Sequence, residues 1–304
     1  MATSKPTTKY PKVSIVLPTY NRAHLITRAI DSVLNQNYTN FELLIIDNFS
    51  TDNTFELIKN YREKKIKYFR FKNNNIIAKS RNYGIAKSKG EYIAFLDSDD
   101  WWHKNKLEIS MRYLKKGYDL TYHNLQIFNK LKKEIIKRNC ISWQLKSPFF
   151  KNMIDNGNPI SNSSVVVKKS LINKINGFSE DFKLIGSEDF DAWLRCSNYS
   201  NKFKFINKVL GYYFIGNDAT TSIRTDISSI LYLQAKYLKH LKITNKKFPS
   251  WLKYKLLVAF FRKKRFKISL LLSSQILLKP YRFNIFIKSL FIYFVSLASY
   301  KFKL

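Results

Sequence analysis

The stretch Gly90-Glu91-Tyr92-Ile93-Ala94-Phe95-Leu96-Asp97-Ser98-Asp99-Asp100 decides how this chain is read. Its apolar residues, 92–96, run continuously rather than alternately, which is the pattern of a strand covered on both faces. Three carboxylates in four residues close the run. They repel one another unless a cation or hydrogen bonds offset the charge. Hard divalent ions such as Mg2+ and Mn2+ favour oxygen ligands and often bridge one or two carboxylates to a diphosphate. The competing reading is a solvated turn that caps a helix over 102–113. An isolated Asp-x-Asp says little, whereas one set directly after a buried strand says more.

Three similar runs precede it. Val13-Ser14-Ile15-Val16-Leu17 ends at Pro18, residues 41–46 end at Asp47, and residues 66–71 form the third. After the first, Leu25, Ile26, Ala29, Ile30, Val33 and Leu34 recur at helical spacing. Ser50-Thr51-Asp52-Asn53-Thr54 offers capping side chains to a helix carrying Phe55, Ile58 and Tyr61. Near-continuous apolar strands separated by helices predict an α/β fold with a parallel sheet covered on both faces. Ligands of such sheets bind at the carboxyl ends of the strands, near the switch in strand order. Pro18-Thr19-Tyr20-Asn21-Arg22, Asp47-Asn48 and the acidic cluster all fall there.

These segments, with Arg81-Asn82-Tyr83-Gly84-Ile85-Ala86 and Ser187-Glu188-Asp189-Phe190-Asp191-Ala192-Trp193-Leu194-Arg195, resemble family 2 glycosyltransferases across residues 12–221. The resemblance implies a GT-A fold with a mostly parallel central sheet. It also implies metal-dependent, inverting transfer of a hexose from a nucleotide sugar, UDP-linked by expectation. Pro18 and Thr19, with Tyr20 beside them, match the loop that holds the nucleotide base. Asp47 matches the aspartate that hydrogen-bonds uracil, and Arg81 a basic residue near the nucleotide. Asp97 and Asp99 match the first and last positions of the metal–diphosphate motif, with Mn2+ or Mg2+ as the ion and Asp99 in direct contact. Asp189 matches the catalytic base.

The residues themselves agree with that last role. Phe190, Trp193 and Leu194 recur at i, i+3, i+4 and give one apolar helical face. Glu188 and Asp189 fall in the first turn, where the helix dipole favours the ionised carboxylate. Such a group can take a proton from an attacking sugar hydroxyl. Glu188 and Asp191 are the alternatives. Three features depart from the family pattern. Asn48 stands where a second aspartate is common. Residues 75–79 lack the glycine often found before Arg81-Asn82. Residues 212–217 hold no histidine where many members place a metal ligand, so the cation would rest on Asp99, the diphosphate and water. His24 reads as a surface residue, and His103 and His123 have no ligand-like spacing. Trp101 and Trp102 fit core or lid positions, with sugar stacking as the other choice.

Charge sets the rest. The 304 residues carry 54 Lys and Arg against 21 Asp and Glu, a net +33, which calls for an anionic partner. The last 78 residues, 227–304, contain 17 Lys or Arg and no Asp or Glu. There, basic clusters such as Arg262-Lys263-Lys264-Arg265 alternate with Leu, Phe and Ile, a pattern of helices lying in a membrane interface. A basic helical subdomain with an ordinary core is the plainer alternative. No stretch reads cleanly as a membrane span. Residues 1–12 lack the apolar stretch of a signal peptide. Two cysteines, Cys140 and Cys196, exclude a disulfide framework or a cysteine-based zinc finger.

The expected organisation is a GT-A domain over 1–226 and a basic, membrane-associating helical region over 227–304. The expected acceptor is a glycan on a lipid carrier, such as a polyprenyl diphosphate, in surface-polysaccharide or glycoprotein assembly. It would be met at an anionic surface, the cytoplasmic face of the inner (plasma) membrane, because nucleotide sugars are cytosolic. Two other classes fit the composition: a basic nucleic-acid-binding protein, and an inactive scaffold of a glycan-assembly complex. No nucleic-acid signature accompanies the charge, and clustered carboxylates repel phosphate, so no nucleic-acid partner is expected. Intact Asp97, Asp99 and Asp189 count against a scaffold.

Overall fold

The computed structural model describes residues 12–129, 134–139, 142–216, 223–240, 249–278 and 283–301. In chain order these form β1 (Val13–Thr19), α1 (Ile26–Leu34), β2 (Phe41–Asp47), α2 (Thr54–Lys59), β3 (Ile66–Arg70), α3 (Ile77–Lys87) and β4 (Tyr92–Phe95). Then come β5 (Trp101–Trp102), α4 (Lys106–Leu114), β6 (Leu120–Asn129), β7 (Glu134–Asn139), α5 (Phe149–Asn156), β8 (Val166–Lys168), α6 (Lys169–Lys174), α7 (Glu188–Ser197) and β9 (Phe203–Ile215). Helices α8 (Ile223–His240), α9 (Ser250–Arg262), α10 (Phe266–Leu277) and α11 (Phe283–Lys301) follow. The chain divides into two compact units: Met1–Leu145 with Pro159–Phe182 and Glu188–Ala219, and Lys146–Asn158 with Lys183–Ser187 and Thr220–Leu304.

The first unit holds one sheet in the order β3-β2-β1-β4-β8-β6-β9-β5, with β7 beside β6. β3, β2, β1 and β4 run parallel, as do β6 and β9, while β8 lies antiparallel to both β4 and β6. Every residue of β1 and β2 is buried, which is why these strands read as nearly continuous apolar runs; the buried exceptions inside them, Ser14 and Glu42, bond to each other at 2.7 Å, and Glu42 also pairs with Lys67. Ile26, Ala29, Ile30 and Val33 of α1 join Val13, Ile15 and Leu17 of β1 in the main core.

Strand order places the site. The chain steps from β1 to β2 to β3 in one direction, then returns to lay β4 on the other side of β1. That reversal is a topological switch point, where α/β sheets open a crevice beyond the carboxyl ends of their strands. Thr19 and Asp47 are paired at those ends, and Val16 pairs with Phe95, two residues before Asp97.

Two expectations change. Residues 102–113 are not one helix: Trp101 and Trp102 pair with β9, Trp101 opposite Tyr212, and α4 begins only at Lys106. Burial of Trp102 and its indole bond to the Ser163 carbonyl, 2.7 Å, hold the segment extended. The helix carrying Phe55 and Ile58 stops at Lys59, so Tyr61 lies beyond it and donates to Asp31 Oδ1 instead.

The second unit is helical among its described residues. Leu257, Ile276 and Ile292, from α9, α10 and α11, form its small core. Trp251 of α9 donates its indole N–H to the Ile154 carbonyl of α5. This unit combines the C-terminal helices with residues from 146–158. Among the described residues, no helix is long and apolar enough to cross a membrane. Cys196 is a buried free thiol; Cys140, Asn217 and residues 1–11 lie outside the described residues.

Candidate active site

The loops after β1 and β2 are knitted together. The Asn21 amide donates to Ser50 Oγ, the Arg22 amide to Thr54 Oγ1, and the Ala23 amide to Asp52 Oδ2, all within 2.9–3.0 Å. The Thr51 amide donates back to Asn21 Oδ1. The polar run 50–54 does both jobs: it binds the neighbouring loop, and Asp52 Oδ1 accepts from the Thr54 amide at 3.1 Å, at the first residue of α2, while Asn53, in the cap position itself, makes no side-chain bond. Asp47 is fully buried: Oδ1 accepts from the Ser50 amide and hydroxyl, and Oδ2 from the Tyr68 hydroxyl. Asn48 uses its amide oxygen to accept from the Asn73 backbone, tying β2 to the loop after β3. Pro18 and Thr19 are buried, while Tyr20 beside them is 45% exposed.

The acidic cluster divides by environment. Asp97 is partly exposed, and its Oδ1 accepts from Arg81 at 2.9 Å and from Asn162 at 3.3 Å. Burial pushes the Asp99 carboxyl up to about 6, with the nearby Asp97 charge adding to it and Arg22 and Arg28 opposing. Asp100 is fully buried and accepts from the Phe214 amide at 2.9 Å. Burial first, then Asp99 and Asp97, raise its carboxyl well above the usual range. Its place is structural: it fastens β9 beneath the cluster. Arg28 donates to the Asp99 carbonyl and lies 3.6 Å from the Trp101 ring centre, while Tyr212 stacks on Trp101 at 4.8 Å. Trp101 is a packed wall of the cluster, and Trp102 is core.

Arg81 links this cluster to α7. It is buried, donates to Asp97 Oδ1 at 2.9 Å, and donates to Glu188 Oε1 at 2.7 Å. Burial opposes its charge, yet the two carboxylates raise its pKa above the ordinary arginine value. An arginine flanked by two carboxylates fixes both at once. The family resemblance implied only a place near the nucleotide for Arg81, and its partners, 16 and 107 residues away, leave no local trace in the sequence. Beneath it, Phe95, Phe178 and Trp193 pack edge to face or tilted, so the apolar face of α7 is anchored as its spacing implied.

The α7 carboxylates separate in the same way. Glu188 is held by Arg81, and Asp191 is buried and accepts from Arg195 Nε at 2.7 Å. Asp189 accepts from the Phe190 amide. Burial, and next the Glu188 charge, push its carboxyl up to about 7, against the pull of Arg81. A place in the first turn of a helix favours a carboxylate that stays ionised at neutral pH; here desolvation outweighs the dipole. A base poised near neutral pH is well matched to proton transfer. His24 is exposed, and buried His123 is pushed down to about 3 by burial and by Lys106, so it is neutral.

The residues fit a hard divalent ion. Asp97 and Asp99 supply only oxygen, and burial beside a second carboxylate makes the Asp99 charge costly without a cation. Among the described residues, no group of three or more His, Cys, Asp and Glu converges as a complete cage. Mg2+-type ions commonly take one or two carboxylates and complete their shell with phosphate and water.

A sequence profile described as Glycosyl transferase family 2 matches residues 14–166, about half of the chain. The chain belongs to this family. An Escherichia coli protein named UDP-Glc:alpha-D-GlcNAc-diphosphoundecaprenol beta-1,3-glucosyltransferase WfgD is 32% identical over 223 residues, 64% of this chain and 83% of that protein. An uncharacterized glycosyltransferase of Rickettsia bellii is 36% identical over 212 residues, 69% of this chain and 30% of that protein. The chain spans less than a third of the length of the first Rickettsia relatives it matches. The structure of S. aureus TarS 1-349 in complex with UDP-GlcNAc shares the fold, with a TM-score of 0.61 at 18% identity, over 95% of this chain and 91% of that one. The fold is thus α/β of the GT-A type.

Proposed function

We propose that this chain is a metal-dependent, inverting glycosyltransferase that moves a hexose from a UDP-linked donor to a glycan on a lipid diphosphate. The observation that carries the reading is the Arg81 bridge. It joins Asp97, at the switch point of the sheet, to Glu188, next to Asp189 on α7. Two carboxylate sites with different tasks are held together by one buried cation. The loop at Pro18, Thr19 and Tyr20, together with Asp47, receives the nucleotide. A divalent ion bound at Asp97 and Asp99 would supply positive charge to the leaving diphosphate. Asp189 takes the proton of the acceptor hydroxyl as that oxygen bonds to the anomeric carbon and the carbon–diphosphate bond breaks. WfgD's name, with a UDP-sugar and a diphosphoundecaprenol acceptor, supports the choice of donor and acceptor.

Thermal melting with a panel of nucleotide sugars and Mn2+ tests the donor. A ligand at a hundred times its Kd stabilises by about 2.7 kcal/mol, which raises the melting temperature by about 5 °C in a protein of this size. UDP-sugars should do so only with the metal present. Stabilisation by another nucleotide's sugars alone would overturn the donor assignment.

The same reading places the second unit at an anionic membrane surface, on the cytoplasmic side and without crossing it. Ile287, Phe291 and Phe294 of α11 recur at i, i+4, i+7 and are exposed, the last two by 66% and 59%. On α10, Ile268 and Leu271 are exposed beside the exposed cluster Arg262-Lys263-Lys264-Arg265. Apolar side chains facing out among unopposed cations suit the boundary of headgroups and acyl chains. Replacing Phe291 and Phe294 together with Glu should weaken binding to phosphatidylglycerol vesicles on the order of 100-fold or more, since each buried Phe contributes about 1.5–3 kcal/mol. Flotation equal to that of the unaltered protein would show that this face is not the one that meets lipid.

A further inference from the structure

We propose that Phe49 is the aromatic face on which the donor's nucleobase stacks; this rests on reading the carboxyl ends of β1 and β2 as the donor site. Phe49 follows Asp47-Asn48 directly and has φ 58, the left-handed region. A bulky residue is a genuine outlier there, because its Cβ crowds the backbone. Core packing does not explain the choice, since the side chain is 46% exposed. Its neighbours fix the conformation from both sides. Asn48 accepts from the Asn73 amide, and the Ser50 amide and hydroxyl donate to Asp47. The loop therefore pays in backbone strain to hold an exposed aromatic ring beside a buried aspartate. Strain of this kind concentrates where ligands are gripped.

The ring is also oriented. The Arg70 guanidinium lies 4.6 Å from its centre, and Arg70 stands opposite Asp47 in the strand register. A cation over one face steadies the ring and leaves the rest of it to solvent. Across the pairing of Thr19 with Asp47, exposed Tyr20 stands at the neighbouring strand end. Two exposed aromatic residues, each just past one of two adjacent strand ends, suit a flat ligand with a hydrogen-bonding edge. A nucleobase has that chemistry, and every base offers a π face for stacking.

Calorimetry on the full chain with Mn2+ tests this with three proteins and two probes, UDP and inorganic diphosphate. Phe49→Gly should bind UDP about tenfold or more weakly, the usual scale for removing a base-stacking ring. It should bind diphosphate unchanged, and should melt at the same temperature or higher, because glycine accepts the left-handed conformation freely. Phe49→Tyr should restore UDP affinity. If Phe49→Gly binds UDP as the unaltered protein does, or if Phe49→Tyr is as weak as Phe49→Gly, the stacking assignment is wrong. Equal loss for diphosphate would place the effect on the phosphates and overturn it as well. Should the unaltered protein bind no UDP, the donor reading itself fails, and that result is separable from the others.

Discussion

Asp99→Ala is expected to abolish Mn2+-dependent binding of UDP and, with it, sugar transfer. A cation that neutralises a departing diphosphate supplies several kcal/mol, and each 1.4 kcal/mol is tenfold, so the loss should be on the order of 10³ or more. The fold should not suffer. Asp99 sits in the cluster with its carboxyl raised to about 6 by burial and by Asp97. A carboxyl raised above its unfolded value weakens the folded state at neutral pH, since the charged form is disfavoured there. Its removal should therefore leave the metal-free melting temperature at pH 7 unchanged or higher. Titrating Mn2+ into the variant with UDP present, and melting it without metal, separates the two effects. Near-normal turnover in Asp99→Ala would show that the metal does not depend on this residue.

What could be read in the chain is what depends on local pattern. The apolar runs at 13–17, 41–46 and 92–96 became β1, β2 and β4 because strands buried on both faces admit almost nothing but apolar side chains. The helix at α7 was legible from Phe190, Trp193 and Leu194, whose i, i+3, i+4 spacing gives it one buried face. The Arg81 bridge was not, since a buried ion pair between residues far apart leaves no periodic trace. Nor was the knitting of the loops after β1 and β2: in sequence Ser50, Asp52 and Thr54 announce only the start of a helix, which Asp52 does serve, and it takes the strand register to bring Asn21, Arg22 and Ala23 to them. Phe49 escaped notice because, set between Asn48 and Ser50 in a polar turn, a phenylalanine gives no sign in sequence of its left-handed backbone or its exposure. Beyond β4 the sheet turns mixed, with β8 antiparallel between β4 and β6, and three-residue β8 is too short to announce itself.

The sharpest test of the chemistry is Asp189→Asn. The change is nearly isosteric and keeps an oxygen that can accept from the Phe190 amide, so fold and UDP affinity should survive. It removes the proton acceptor, and transfer should fall by a factor on the order of 10² to 10⁴. The loss should appear in kcat, the mark of an interaction made in the transition state. Burial, then the Glu188 charge, hold the Asp189 carboxyl at about 7 against the pull of Arg81, and this fixes the sign of the pH profile. The working form is the ionised one, so kcat/KM should rise about tenfold per unit below pH 7 and level off above it. In Asp189→Asn that rise should vanish. Stability should move the other way. The folded protein holds this proton more tightly than the unfolded chain, so Asp189 weakens the fold progressively as pH climbs from about 4 to 7. The Asn variant should be the more stable of the two above pH 7 and gain nothing below pH 4. Glu188→Gln and Asp191→Asn are the controls; each alters a carboxylate already held by an arginine and should affect kcat less. Should Asp189→Asn transfer sugar at the unaltered rate while Glu188→Gln is inactive, the base is Glu188, and the arginine beside it serves the proton transfer rather than the scaffold.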